Sequence, residues 1–177
     1  MKMAKKLLAV VLAGVLALSV LTGCGGAGSA KAIAEAMSDK TIAEAMSDKS
    51  KEEGVVYRAD SELDEKAGQI GEMIRRKEEG DDPGTEPNIY GKIMGIMGHG
   101  YDNKYVWIAA TTTKGNDVMT QASDLLEDVD IDSNINSKVA DGTSPAKVRS
   151  IGTAPITVNG VDYLFAVITA DAVQDKV

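Results

Sequence analysis

The sequence is poor in the side chains that most often carry chemistry or cross-links. Its 177 residues hold one cysteine, Cys24, and one histidine, His99. A single cysteine excludes an intramolecular disulfide, so the fold must stand on its core alone. Aromatics make up only 4% of the chain, which leaves core packing to Ile, Val, Leu, Met and Ala. Basic residues are also in deficit, 19 against 27 acidic ones, for a formal charge of −8. That balance argues against nucleic acid as a partner, because phosphate binding needs clustered Lys and Arg. It argues equally against electrostatic adhesion to anionic lipid, and fits a body kept dispersed by self-repulsion.

Catalytic signatures are scarce too. Neither a G-x-S-x-G elbow nor an H-E-x-x-H motif occurs. A Ser-His-Asp triad would have to use His99, on a glycine-rich turn, and nothing in the sequence points to its serine. Carboxylates are abundant enough for glycosidase-like pairs, but acidity alone does not single one out. No catalytic residue, metal site or cofactor is assigned.

What is present begins with a leader. Lys2, Lys5 and Lys6 form a positive start, and Leu7 to Leu21 is an uncharged apolar run of 15 residues. That is short of the ~20 that a spanning helix needs and fits the apolar segment of a secretory signal. The run ends in Leu21-Thr22-Gly23-Cys24, which resembles the lipobox of bacterial lipoproteins. The resemblance covers the first 24 residues and implies cleavage before Cys24, with a diacylglyceryl group on its thiol. Residues 1–23 are then a signal peptide. Their loss takes the formal charge from −8 to −11, since Lys2, Lys5 and Lys6 leave with them. Each buried methylene contributes about 0.8 kcal/mol, and two acyl chains give stable residence where one gives only reversible binding. The membrane, reached through lipid on Cys24, is the expected partner. The expected location is the extracytoplasmic face of the cell membrane, or the outer membrane in a Gram-negative cell.

Residues 24–54 read as a tether. Cys24 to Ser29 is Gly-rich and flexible in composition. Ile33-Ala34-Glu35-Ala36-Met37-Ser38-Asp39-Lys40 then recurs as Ile42-Ala43-Glu44-Ala45-Met46-Ser47-Asp48-Lys49, a period of nine. These are good helix formers. Nine steps of ~100° nevertheless put the two copies on opposite faces of one straight helix, so the expectation is a spacer rather than a coiled coil, with Ser38-Asp39 ending one short helix and capping the next.

From about Val55 to Val177 the pattern is that of a folded domain. Leu63, Ala67, Ile70 and Ile74 are spaced four, three and four, which is one helical face. Asp60 is its cap, Ser61 and Asp64 resemble a capping box, and Gly80 follows the last turn. Gly68 and Gly71 are placed to let a neighbouring strand approach. Val118, Ala122, Leu125 and Val129 repeat the spacing in a second helix, capped by Asn116 or Asp117. Strands are expected at Ile89–Met97, Tyr105–Thr113, Val148–Val158 and Val161–Thr169, with Pro155 a weak point and Asn159-Gly160 a two-residue hairpin turn. The fold class is α+β: a four-stranded, mostly antiparallel sheet with two helices on one face, in the order helix, hairpin, helix, hairpin.

Three clusters invite a ligand reading. Asp128-Val129-Asp130-Ile131-Asp132-Ser133-Asn134 is calcium-like, but an EF-hand loop needs glycine at its sixth place and glutamate at its twelfth, and both registers fail. Met94, Met97 and His99 suit Cu(I) as ligands, but on a strand the two methionines point to opposite faces, so at least one is core filler. Gly91, Gly95, Gly98 and Gly100 match neither phosphate-binding pattern and read as a bent or close-packed strand. The reading that remains is a membrane-anchored, non-catalytic domain that binds an envelope component or an extracellular ligand. The alternatives are a hydrolase of cell-wall or carbohydrate substrate and a small-molecule sensor.

Overall fold

The computed structural model of the chain describes residues 29–39, 54–81, 88–129 and 131–175. In chain order the elements are α1 (Ala30–Met37), β1 (Val56–Ala59), α2 (Ser61–Glu78), α3 (Ile89–Met97), β2 (Lys104–Thr112), α4 (Val118–Glu127), β3 (Thr143–Val158) and β4 (Val161–Gln174). The class is α+β with one four-stranded sheet, ordered β1-β3-β4-β2. The sheet is mixed, because β1 runs parallel to β3 while β3/β4 and β2/β4 are antiparallel.

The β3–β4 hairpin is the centre. Asn159 and Gly160 both adopt positive φ, 50° and 77°, the twist that a two-residue hairpin turn requires. Tyr163 to Ala170 are buried without interruption, so β4 is covered on both faces. Tyr163, Phe165 and Val167 join Val106 and Ile108 under α2 and α3. Leu164, Ala166 and Ile168 join Trp107 and Ile151 under α1 and α4. The helices therefore lie on both faces of the sheet rather than on one.

Three further expectations are corrected. Residues 89–97 are a helix, not a strand. Ile89, Ile93 and Met97 recur every four residues, so the helical face wins over alternation, and Asn88 caps the helix by accepting from Gly91 N at 2.9 Å. The fourth strand is instead the short β1, in which only Tyr57 is buried. The first copy of the nine-residue repeat enters α1, the short helix expected to end at Ser38, but it packs against α4 and β1 rather than standing off as a spacer; Lys40 and the second copy lie outside the described residues. The helix-hairpin-helix-hairpin order is thus replaced by α-β-α-α-β-α-β-β.

Helix α2 is fastened to β3 at both ends. Asp60 caps it, accepting from Glu62 N at 3.0 Å. Asp64 does not complete a capping box: its carboxylate accepts from Thr153 N at 2.7 Å. That N–H faces the side on which β1 has already ended, at Ala59 opposite Ile151. Pro155, two residues on, turns toward the same unpaired side, where its missing donor disturbs no ladder. At the far end Glu79 accepts from Asn159 N at 3.0 Å and pairs with Arg75. Between these points helix and strand touch. A Cβ on Gly152 would lie 2.1 Å from Leu63 C and 2.2 Å from Asp64 N, and one on Gly71 would lie 2.5 Å from Ile156 Cγ1. Gly71 serves close approach as its position suggested, whereas Gly68 meets only Ala154 Cβ, at 3.8 Å.

Two predictions follow from α2. Gly152→Ala is expected to destabilise by about 3 kcal/mol through overpacking against helix backbone, whereas Gly68→Ala should stabilise by about 0.5–1 kcal/mol through helix propensity; urea midpoints with unchanged slopes would check both. The second concerns acid. Hydrogen bonds from Arg75, then Arg76, hold the Glu72 carboxyl at about 2 against an ordinary 4.5. A depressed carboxyl contributes stability that is complete above its unfolded value and is lost as pH falls from 4.5 through about 2. Glu72→Gln should therefore flatten the decline of Tm across that window, and an unchanged slope would show that the pair contributes nothing.

Candidate functional site

Two polar constellations stand out, one enclosed and one open. The enclosed one centres on Arg149, which faces Tyr57 of β1 across the parallel pair and is 2% exposed. Its guanidinium carbon lies 4.9 Å from the Trp107 ring centroid and 6.0 Å from that of Tyr57, and its Nη1 donates to Tyr57 Oη at 3.4 Å. Tyr105 stacks on Trp107 at 5.7 Å and donates from its hydroxyl to Thr143 O at 2.5 Å. A cation over aromatic faces is attracted by the ring quadrupole, more so when water is kept away. This group orders the α1 side of the sheet.

The open constellation lies on the connection from α3 to β2. Gly98, at φ 84°, ends α3 and turns the chain into a 3-10 turn, His99–Tyr101. The His99 side chain is 99% exposed, with Nδ1 3.3 Å from Asp102 Oδ2. Asp102 accepts from Lys138 Nζ at 2.8 Å through its other oxygen. Lys138, then His99, holds the Asp102 carboxyl below the usual carboxylate range. Beside them Lys66 and Lys104 place ammonium groups 5.3 and 6.0 Å from the Tyr101 centroid. Lys66 also donates to Ile96 O and Met97 O, at 3.3 and 2.9 Å, closing the C-terminus of α3. The Tyr101 hydroxyl donates to Glu62 at 3.3 Å. Burial first, then the Glu62 and Asp60 charges, pushes its phenol up to about 12.

Asn136 holds this surface in place. It is 2% exposed, and its amide nitrogen donates to Tyr101 O, Asp102 O and Lys104 O at 2.9, 3.1 and 2.8 Å. Its neighbours complete the edge of β2: Val106 N donates to Asn134 Oδ1, and Ile135 N to Val106 O, each at 2.9 Å. The segment after α4, which the sequence presents as an acidic calcium-like loop, is thus an edge cover. Asp128 caps α4, Ser133 donates to Asp128 O at 2.6 Å, Asp132 is exposed, and Asp130 lies outside the described residues. Among the described residues no group of three or more His, Cys, Asp or Glu could hold a metal ion. Met97 is buried in the α2–α3 core and Met94 packs against it, while the His99 imidazole stands in solvent.

The lipobox residues Leu21, Thr22, Gly23 and Cys24 lie outside the described residues. Sequence reasoning singled out His99 but missed Asp102, Lys138 and Asn136, and the spacing of three in His99/Asp102 was the one local signal available. The pair can hold and pass a proton, yet among the described residues no hydroxyl hydrogen-bonds to His99. The open surface offers charge, a phenol and an imidazole for recognition. Among the described residues no helix is long and apolar enough to cross a membrane. Compared with known proteins, the chain matches no family model, no curated protein and no solved structure.

Asn136→Ala would strip the donor from three backbone carbonyls at once. It is expected to destabilise by about 2–3 kcal/mol and to raise amide exchange at Val106 and Ile135, read by urea unfolding and hydrogen exchange.

Proposed function

We propose that the chain is an exported lipoprotein, cleaved before Cys24 and anchored by lipid on that thiol, whose α+β domain acts by binding an envelope component or an extracellular ligand. The observation that carries this reading is the tetrad Leu21-Thr22-Gly23-Cys24 at the end of a 15-residue apolar run with three lysines before it. Helix α1 adds a distance. Its cap, Ser29, accepts from Ala32 N at 3.3 Å, so only Gly25, Gly26, Ala27 and Gly28 separate it from Cys24. Five residue steps reach roughly 17 Å when extended. The domain is therefore held close to the bilayer surface, and its net charge of −11 after cleavage works against lying flat on anionic headgroups. The exposed His99–Asp102–Lys138 surface supplies groups for a polar partner. A second reading, hydrolysis of cell-wall or carbohydrate substrate, draws on the same imidazole–carboxylate pair and requires a partner group from substrate or solvent.

Cys24→Ser should abolish incorporation of labelled palmitate and move the protein from the membrane to the soluble or secreted fraction. Retained labelling in that variant would overturn the anchoring.

A further inference from the structure

Helix α1 docks through a small set of groups. Ile33 and Met37 are 0% and 3% exposed, and Ala34 and Ala36 are buried beside them. Ser29 caps the helix start. Ser38, at its end, donates to Ala34 O at 2.7 Å and accepts from Tyr57 N at 2.9 Å, closing the outer edge of β1. Eight residues are too few for a stable isolated helix, so α1 owes its form to the groove between α4 and β1.

Each of these groups recurs nine residues later. Ser38, Ile42, Ala43, Ala45, Met46 and Ser47 stand at the offsets of Ser29, Ile33, Ala34, Ala36, Met37 and Ser38. From 29–40 to 38–49, ten of twelve positions are identical, and the two that differ are Ala30/Asp39 and Ala32/Thr41. Ala30 is buried in α1, so Asp39 fits that place less well. At the first helical position, however, an acid is favoured by the helix dipole. The chain length also allows the exchange. Eighteen residues lie between Ser38 and Tyr57, and nine between Ser47 and Tyr57. Nine residues reach roughly 30 Å, more than the ~12 Å length of an eight-residue helix, and closure entropy changes slowly with loop length.

We infer that the groove between α4 and β1 is a docking site for the repeated segment itself, and that residues 42–49 of the same chain are its alternative occupant. Exchange is a nine-residue slip. Ser38 passes from closing the edge of β1 to capping the helix start, and Ser47 takes over the contact with Tyr57 N. The first copy is preferred because Ala30 suits the buried first turn.

The test uses the full chain with three variants: Ile33→Asp with Met37→Asp, Ile42→Asp with Met46→Asp, and all four together. Tm reports stability. Emission of Trp107, the sole tryptophan and a member of the same apolar cluster, reports whether the groove is filled, and exchange of the Tyr57 amide reports its edge contact. Disabling the second copy should change none of these. Disabling the first should lower Tm by no more than about 3 °C, with Trp107 emission and Tyr57 protection retained, whereas disabling both should lower it by about 10 °C or more and expose both reporters. A first-copy variant as damaged as the fourfold one, or a fourfold variant as stable as the parent, overturns the inference. Rescue that appears only with dimer formation in sedimentation would put another molecule's segment in the groove and overturns it as well.

Discussion

Double-sided burial of β4 is the constraint on which the rest of the structure depends. A strand covered on both faces from Tyr163 to Ala170 cannot sit at an edge, so it requires a strand on each flank and helices above and below. The Asn159-Gly160 turn brings β3 to one flank, and β2 takes the other along its full length, from Lys104 opposite Asp171 to Thr112 opposite Tyr163. Each helix then has a defined place. α2 and α3 cover the Phe165 face, and α1 and α4 cover the Leu164 face. The contact at Gly152 shows how tight the first of these layers is, since any side chain there would meet the backbone of Leu63 and Asp64.

The same arrangement leaves two edges to manage, and polar side chains manage both. On β1 the hydroxyl of Ser38 takes the Tyr57 N–H. On β2 the amide oxygen of Asn134 takes the Val106 N–H. An unpaired strand edge invites association with other chains, so each contact blunts one such edge. The second also shapes the open surface, because the segment that covers β2 continues into Asn136, which grips the backbone from Tyr101 to Lys104. The backbone that carries Asp102 is thus held by the same segment that covers the edge of β2.

Much of the scaffold is legible in the sequence where a single periodicity dominates. α2 and α4 follow their four-three-four spacing, β2 follows its β-branched and aromatic run, and the hairpin follows Asn159-Gly160. The errors lie where local cues conflict. Gly91 and Gly95 depress helix propensity and drew residues 89–97 toward a strand, although Ile89, Ile93 and Met97 kept helical spacing. β1 has four residues with one buried side chain, too little pattern to mark a strand, and its pairing with β3 spans about ninety positions. The first repeat copy is legible only in part. Its end at Ser38 is legible in the sequence, but its docking is not, because the groups that receive it belong to α4 and β1, distant in the chain. Of the open surface only His99 was visible, because Lys138 and Asn136 reach it through the fold.

The placement of α1 also sets how the molecule answers to force. Were the chain held through Cys24 as proposed, a pull would reach first an eight-residue helix docked by two large side chains, three alanines and one serine. The β3–β4 hairpin, with its long ladder, lies behind that contact. Under tension α1 yields first, and unwinding eight residues from ~1.5 to ~3.4 Å each lengthens the chain by roughly 15 Å. The sheet keeps its register meanwhile, so the molecule carries a compliant first element in series with a stiff body.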